Sequence, residues 1–238
     1  MISVDHLTKE FRLGTDVVRA LDDVSFQAGQ GEFVTVVGPS GSGKSTLLMA
    51  LGGLIRPTNG TVRIGDVDLY AQTANALSEF RRRTIGFVFQ QFHLVPYLTA
   101  WENVALPLML NGLQSGLHRK QAIEILGRFE LGQRANHKPS QLSVGQQQRV
   151  AMARTLANDP DILLADEPTA SLDPALSRNL MDTLIALNRE GKTVVLVTHS
   201  QEVAAVGTNR LALQDGRLEA AEWRGTPGKV VSPGITTR

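Results

Sequence analysis

The sequence predicts an α/β protein with a parallel sheet at its core. Short apolar, β-branched segments at residues 32–37, 161–165 and 193–198 are typical of buried strands. Helical segments alternate with strands over residues 147–214, which indicates a parallel sheet joined by crossover helices.

Two other regions depart from this alternation. The beginning of the chain reads as consecutive strands, at residues 2–11, 17–21 and 24–28, followed by a short pair at 61–64 and 67–69. From about residue 96 the pattern becomes helical, with segments at 99–110 and 117–129. Thr99 precedes the first segment and Glu102 stands three residues later, a spacing typical of a capping box. We therefore expect a helical block inserted into the sheet domain.

The clearest motif lies between a predicted strand and a predicted helix. Residues 38–45 match G-x-x-x-x-G-K-S, with strand 32–37 before them and good helix formers at 45–51 after them. The glycines let successive N–H groups point at phosphate oxygens, and the helix N-terminus adds its positive dipole end. Lys44 is expected to reach the β- and γ-phosphates, and the Ser45 hydroxyl to bind Mg²⁺. The predicted nucleotide-binding residues of this segment are Gly38, Pro39, Ser40, Gly41, Ser42, Gly43, Lys44, Ser45 and Thr46.

A pair of carboxylates ends the strand at 161–165. Asp166 and Glu167 follow this strand directly, and Pro168 cannot continue a ladder. An acid at this position beside a phosphate-binding loop is suited to hold Mg²⁺, which predicts Asp166 as a metal ligand. Glu167 points differently because it is one residue on, and it is placed to take a proton from an attacking water.

A second helix N-terminus follows a small hydroxyl residue. Ser143 and Gly145 precede the helical stretch at 146–154, and a helix end of this kind presents donors to an anion. One nucleotide has a single triphosphate, which the first motif already holds. One interpretation is that this end faces the γ-phosphate bound by another copy of the chain; the other is that Ser143 is an ordinary N-cap.

In this order the motifs resemble those of the nucleotide-binding subunits of ATP-binding cassette (ABC) transporters, over about residues 1–218. The resemblance assigns the Walker A motif to 38–45, the signature motif to 142–146 and the D-loop to 171–173. It makes Asp166 the Walker B acid and Glu167 the catalytic glutamate. The further site residues that it implies are Gln90 as a catalytic and Mg²⁺-binding Q-loop glutamine, His199 as a catalytic switch histidine, Phe11 stacked on adenine, and Ser143, Gly145 and Gln146 at a partner's nucleotide.

For Phe11 the alternative is a buried strand aromatic. Two positions depart from the family pattern, since Val144 replaces the first glycine of the signature pair and Ala170 replaces a common glycine after Pro168-Thr169. The stretch 84–96 is similar to that of the lipoprotein-release, macrolide-export and cell-division group within the family.

The resemblance implies a P-loop NTPase fold with a RecA-like parallel-sheet core, an N-terminal antiparallel β subdomain and an α-helical subdomain inserted at about 96–145. The cassette is expected to span 1–220 and to be followed by a flexible tail at 221–238. The implied activity is ATP hydrolysis with ATP and Mg²⁺, in a dimer of two copies that drives a separate membrane subunit. That subunit is expected to dock near Phe92, Leu94 and Tyr97.

Composition narrows the function classes further. The 238 residues carry a net charge of +1 with acids and bases mixed, so no nucleic-acid partner is expected. The chain has no cysteine, no apolar run near 18 residues and no signal-peptide pattern. We therefore expect a peripheral protein on the cytoplasmic side of the inner or plasma membrane. A regulatory ATPase of a non-transporting, cell-division type complex and a soluble ABC ATPase are the alternatives.

Overall fold

The computed structural model describes residues 1–111 and 117–223. Its strands are β1 (Ile2–Leu13), β2 (Asp16–Ala28), β3 (Phe33–Val37), β4 (Asn59–Ile64), β5 (Val67–Asp68), β6 (Ile85–Phe89), β7 (Ile162–Asp166), β8 (Thr193–Thr198), β9 (Asn209–Gln214) and β10 (Arg217–Trp223). Its helices are α1 (Lys44–Leu51), α2 (Ala74–Thr84), α3 (Ala100–Leu110), α4 (His118–Arg128), α5 (Val144–Thr155), α6 (Pro174–Arg189) and α7 (Gln201–Ala204).

Two sheets form the frame of the molecule. The larger sheet has the order β10-β9-β3-β8-β7-β6, in which β9, β3, β8, β7 and β6 run parallel and β10 pairs antiparallel with β9. The smaller sheet has the order β2-β1-β4-β5, and its pairs are antiparallel. A parallel core joined to an antiparallel N-terminal sheet and to helices confirms the predicted α/β P-loop NTPase fold.

Alternate residues of the parallel strands face two different cores. In β8, Val195 and Val197 belong to the cluster that joins the smaller sheet and α1, whereas Val194 and Leu196 belong to the cluster that packs on α6. Because both faces are covered, β8 is buried along its whole length, as its continuous apolar sequence predicts.

A third cluster holds the helical block together. Val104 of α3, Leu126 of α4 and Val150 of α5 are fully buried against one another. The predicted capping box is confirmed, because Thr99 accepts from the Glu102 amide and the Glu102 side chain accepts from the Thr99 amide. Helix α5 also reaches the sheet, since its Met152 belongs to the cluster beneath α6. It therefore packs on both the block and the sheet.

The structure differs from the sequence prediction at two strands. β2 is continuous from Asp16 to Ala28, and its pairing with β1 shifts register near Asp23, which adopts a left-handed φ of 57°. β10 extends through Trp223 and thus past residue 221, where the tail was expected to begin. Ala221 pairs with Leu211 and is buried, which holds this part in the sheet. Residues 224–238, the rest of the predicted tail, lie outside the described residues.

Candidate functional site

The predicted site residues of the larger sheet lie together at the carboxyl ends of its parallel strands. Gly38, His199, Glu167 and Gln90 follow β3, β8, β7 and β6. These strands are parallel neighbours, and their last residues are in register: Val37 pairs with Thr198, and Phe89 pairs with Asp166. Ligands of open α/β sheets bind outside the carboxyl ends of the strands. The strand order therefore gathers residues that are more than 160 positions apart in sequence.

The phosphate cradle is enclosed by backbone from distant parts of the chain. Gly43 adopts a φ of 98°, and a methyl group added there would lie 2.2 Å from the carbonyl oxygen of Ala20. A methyl group on Gly38 would lie 2.0 Å from the carbonyl oxygen of Leu213. The Gly216 amide donates to the Ser42 carbonyl at 3.1 Å. Only glycine fits at these two positions, because the obstructing atoms are backbone.

The Lys44 side chain lies inside the cradle and is only 7% exposed. Its Nζ donates to the carbonyls of Gly38 at 2.9 Å and Pro39 at 2.8 Å. An ammonium group has three donors, so these contacts leave one to meet an anion. The Ser42 hydroxyl is also buried in the cradle and has no hydrogen-bond partner within the described part of the chain. The cradle thus holds a fixed positive charge and an unused hydroxyl.

The predicted metal ligands meet directly. The Ser45 hydroxyl donates to Oδ1 of Asp166 at 2.9 Å. Burial raises the pKa of Asp166, and the neighbouring Glu167 charge acts in the same direction, while the Ser45 hydrogen bond opposes them. Residues 1–111 and 117–223 contain no cluster of three or more His, Asp or Glu side chains that would hold a metal unaided. Mg²⁺ commonly takes one or two protein oxygens and completes its shell with phosphates and water, so the Ser45–Asp166 pair fits this ion.

Glu167 is held close to His199. Nδ1 of His199 lies 2.9 Å from Oε2 of Glu167, and the His199 amide donates to the same oxygen at 3.4 Å. Glu167 has a φ of 44°, an uncommon conformation for a residue with a side chain and one that clusters at functional sites. The Glu167 amide donates to the Val197 carbonyl at 3.0 Å, which fixes this conformation. The carboxylate and the imidazole are thus positioned as a pair.

Gln90 is brought to the same edge by β6. Its carbonyl accepts from the Ser171 hydroxyl at 3.2 Å, so the predicted Q-loop and D-loop segments touch. The metal-binding role of Gln90 stays a prediction. The Ser171 contact was missed by sequence reasoning, since nothing in the two local sequences signals a pairing across 81 residues.

The start of α5, which is the second helix end predicted to bind an anion, makes contacts of another kind. Ser143 caps α5, accepting from the Gln146 amide at 3.3 Å, and the Gln146 side chain accepts from the Ser143 amide at 3.0 Å. Gly145 lies against α6, where an added methyl group would stand 2.6 Å from Leu176. Val144, the departure from the family pattern, is 54% exposed. The start of α5 therefore presents a capped, exposed end with one apolar side chain.

The remaining predicted contacts lie on the surface. Phe11 of β1 is 37% exposed and lies beneath the Lys9 ammonium, 5.0 Å from the ring centroid, so the alternative of a buried strand aromatic is wrong. Tyr97 is 73% exposed. Phe92 is half-buried, and Leu94 is half-buried against the cluster of the helical block.

Comparison with known proteins defines the class. Residues 21–170 match the family described as ABC transporter. A protein of Methanocaldococcus jannaschii named as an uncharacterized ABC transporter ATP-binding protein, MJ0796, is 50% identical over 93% of this chain and 97% of its own length. The macrolide export ATP-binding/permease protein MacB 1/2 of Paracoccus denitrificans is 43% identical over 98% of this chain, which spans 35% of that protein.

A solved structure gives the same result. The dimeric structure of the ATP-binding cassette MJ0796 in a post-hydrolysis state, bound to ADP and Pi, superposes with a TM-score of 0.86 at 46% identity. It covers 95% of this chain and all of the solved chain. The chain belongs to the ABC transporter family. It is an ATP-binding cassette, and its enzymatic class is ATPase.

Proposed function

We propose that two copies of this chain close around two ATP·Mg²⁺, so that each nucleotide lies between the cradle of one copy and the α5 start of the other. The observation that carries this proposal is the separation of two anion-binding helix ends in one chain. The start of α1 meets Asp166 through Ser45, whereas the start of α5 is exposed and satisfied by its own capping box. The solved MJ0796 cassettes are dimeric, and one of them holds ADP and Pi, which supports a dimer of this chain.

Each residue then has a separate task. Lys44 holds the β- and γ-phosphates, while Ser45, Asp166 and Gln90 hold Mg²⁺, which neutralises phosphate charge when bound. Glu167 accepts a proton from the attacking water, and His199 keeps this carboxylate oriented. Ser143, Gly145 and Gln146 approach the γ-phosphate from the partner copy. Phe11 offers its exposed ring to adenine.

The same closure is proposed to act on a membrane subunit. Its docking surface lies around Phe92, Leu94 and Tyr97, where Tyr97 offers an exposed aromatic ring and Leu94 connects the surface to the helical block. No helix within residues 1–111 and 117–223 has the length and apolarity to cross a bilayer. The MacB relatives combine ATP-binding and permease in their names, which supports a membrane partner for this chain. With that partner as a separate subunit, the chain would be peripheral, on the cytoplasmic side of the membrane.

The test is the Glu167→Gln variant, because an amide keeps the shape of the side chain but cannot accept the proton. We expect it to bind ATP like the wild type, to lose hydrolysis by about 10³-fold or more, and to elute as an ATP-dependent dimer in gel filtration. Asp182→Asn, on the exposed face of α6, is the matched control and keeps normal turnover. Wild-type turnover by Glu167→Gln would remove Glu167 from its role, and a strictly monomeric variant would remove the shared site.

The membrane proposal is tested separately with Tyr97→Glu. We expect this variant to leave the membrane fraction of its own cell while ATP binding by the purified subunit is unchanged. Leu94→Glu is a poorer probe, because a charge there also disturbs the helical block. Continued membrane association of Tyr97→Glu would place the docking surface elsewhere.

A further inference from the structure

Helix α5 is joined to the Q-loop segment, residues 90–95, by the side chain of Arg154. Its Nη1 donates to the His93 carbonyl and its Nη2 to the Phe92 carbonyl, both at 2.6 Å. The guanidinium is half-buried, and burial lowers the pKa of Arg154. Both partners are neutral carbonyls. Partial burial of a cation costs free energy unless its donors are paired, so the two carbonyl contacts stabilise Arg154 in this position.

The conformation of the segment is itself an unusual one. His93 has a φ of 47°, and its ring stands edge-on to Phe89 with centroids 5.3 Å apart. Such a φ costs on the order of 1 kcal/mol for a residue with a side chain and persists when surrounding contacts hold it. Two residues on, the Val95 amide donates to the fully buried Asn103 of α3 at 2.8 Å. The helical block therefore contacts the segment at two places, through Arg154 of α5 and through Asn103 of α3.

Arg154 lies at the end of α5 that is attached to the larger sheet. The next residue, Thr155, donates from its hydroxyl to the Phe87 carbonyl of β6 at 2.8 Å, which fixes this end of α5 to the sheet. Ser143, at the other end, is about 18 Å away at 1.5 Å of rise per residue. Because this end of α5 is fixed, a tilt that brought Ser143 toward a partner's nucleotide would turn about the end that carries Arg154. The two hydrogen bonds of Arg154 would then transmit the rotation of the helix to the backbone of the Q-loop segment.

We propose that Arg154 is a positioning residue, which couples the placement of Ser143 at a partner's nucleotide to the placement of Gln90 at the chain's own nucleotide. It acts through the carbonyls of residues 92 and 93 and does not touch the reacting atoms. The coupling rests on the roles given to Ser143 and Gln90 under the proposed function.

The experiment compares Arg154→Met, Arg154→Lys and a matched control on the same helix. Methionine keeps most of the length and removes all donors, whereas lysine keeps the charge but not the fork that reaches two carbonyls. The control is Arg149→Met, because Arg149 pairs with Glu130 at 3.0 Å on the open side of α5. Each full-length variant is measured for hydrogen exchange, binding of a fluorescent ATP analogue, KM and kcat.

In Arg154→Met we expect amide exchange at residues 91–95 to rise by about tenfold or more, while residues 148–153 of α5 keep wild-type protection. The kcat should fall by about tenfold or more with KM and analogue binding within about twofold of wild type, because a transition-state arrangement is lost and ground-state binding is not. Arg154→Lys should lie between these limits, and Arg149→Met should match the wild type.

Unchanged exchange at 91–95 in Arg154→Met would overturn the proposal. So would faster exchange along the whole of α5 with a matching loss of thermal stability, since that would make Arg154 a structural residue. A Gln90→Ala variant distinguishes failure of the proposed function from failure of the Arg154 proposal. Full ATPase activity of Gln90→Ala would remove Gln90 from the site, and the coupling would fall with it. The exchange data would still show whether Arg154 holds residues 91–95.

Discussion

The phosphate cradle and the start of α5 are both helix N-termini that offer donors to an anion, yet they are built in different ways. The cradle is enclosed, with Lys44 only 7% exposed and its glycines pressed against the backbone of β2 and β9. The start of α5 is open, and its nearest constraint at Gly145 is the tip of the Leu176 side chain.

The difference indicates which parts of the site the chain completes alone. The cradle is fixed by contacts within one copy of the chain, so it is formed before a ligand binds. At the start of α5 the capping box satisfies the amides of Ser143 and Gln146 and does not include those of Val144 and Gly145, so this end has donors for an anion that is brought to it from outside the chain. Binding is therefore expected to depend on the first region and turnover on both.

The largest expected effect is a loss of ATP hydrolysis, and a mixture of two variants tests the two regions separately. Lys44→Ala and Ser143→Arg should each lower ATP hydrolysis by about 10³-fold, the first by removing a phosphate contact and the second by obstructing a partner's phosphate. Only Lys44→Ala should weaken binding of ATP to the single chain. In a mixture of the two variants, one composite site of each mixed dimer keeps both Lys44 and Ser143, and some activity should return. Normal hydrolysis by Ser143→Arg would contradict the shared site.

A smaller effect comes from adding one methyl group to each region. Gly38→Ala places a methyl 2.0 Å from a backbone carbonyl oxygen, whereas Gly145→Ala places it 2.6 Å from a flexible leucine end. We expect Gly38→Ala to lose ATP binding and to lower the unfolding free energy by roughly 1–3 kcal/mol. Gly145→Ala should keep binding and lose turnover by about tenfold or less. Binding isotherms and urea unfolding of both variants test this, and an equal loss in both would contradict it.

The smallest expected effect is a gain in stability at the metal position. Burial raises the pKa of Asp166 above its ordinary value of 3.8, so the folded chain holds this proton more tightly than the unfolded chain. The stability linked to Asp166 therefore falls as pH rises through the interval between the two pKa values. Without nucleotide or Mg²⁺, Asp166→Asn should raise the unfolding free energy at pH 7 by about 1 kcal/mol at most, because solvent screens a half-exposed carboxyl, while abolishing hydrolysis.

The pH dependence and a control complete this test. The gain should shrink below the ordinary pKa of aspartic acid, where both states are protonated in the wild type. Asp182→Asn, at an exposed position of α6, should change the unfolding free energy by about 0.5 kcal/mol or less at either pH. Urea unfolding at pH 7 and near pH 3 measures both, and a less stable Asp166→Asn at pH 7 would contradict the assignment.

Local sequence predicts much of this molecule, because its strongest signals are local. The buried strands β3, β7 and β8 and the Thr99 capping box each depend on a few adjacent residues, and the structure has them where the sequence places them. The extension of β10 to Trp223 depends instead on pairing with β9, a distant contact. The Gly- and Pro-rich sequence that follows favours the prediction of a tail over that of a strand. The Arg154 contact depends on two carbonyls 61 and 62 residues away, and carbonyls carry no sequence signal.

The floor of the phosphate cradle is made by the turn between β9 and β10, where Leu213 and Gly216 meet Gly38 and Ser42. During synthesis the ribosome makes residues 38–45 well before this turn, which lies roughly 170 residues later in the sequence. At 5–20 residues per second the delay is roughly 10–30 s. A nascent chain therefore carries its phosphate-binding motif during this interval without the backbone that shapes it, and nucleotide is not expected to assist folding until the β9–β10 hairpin has emerged.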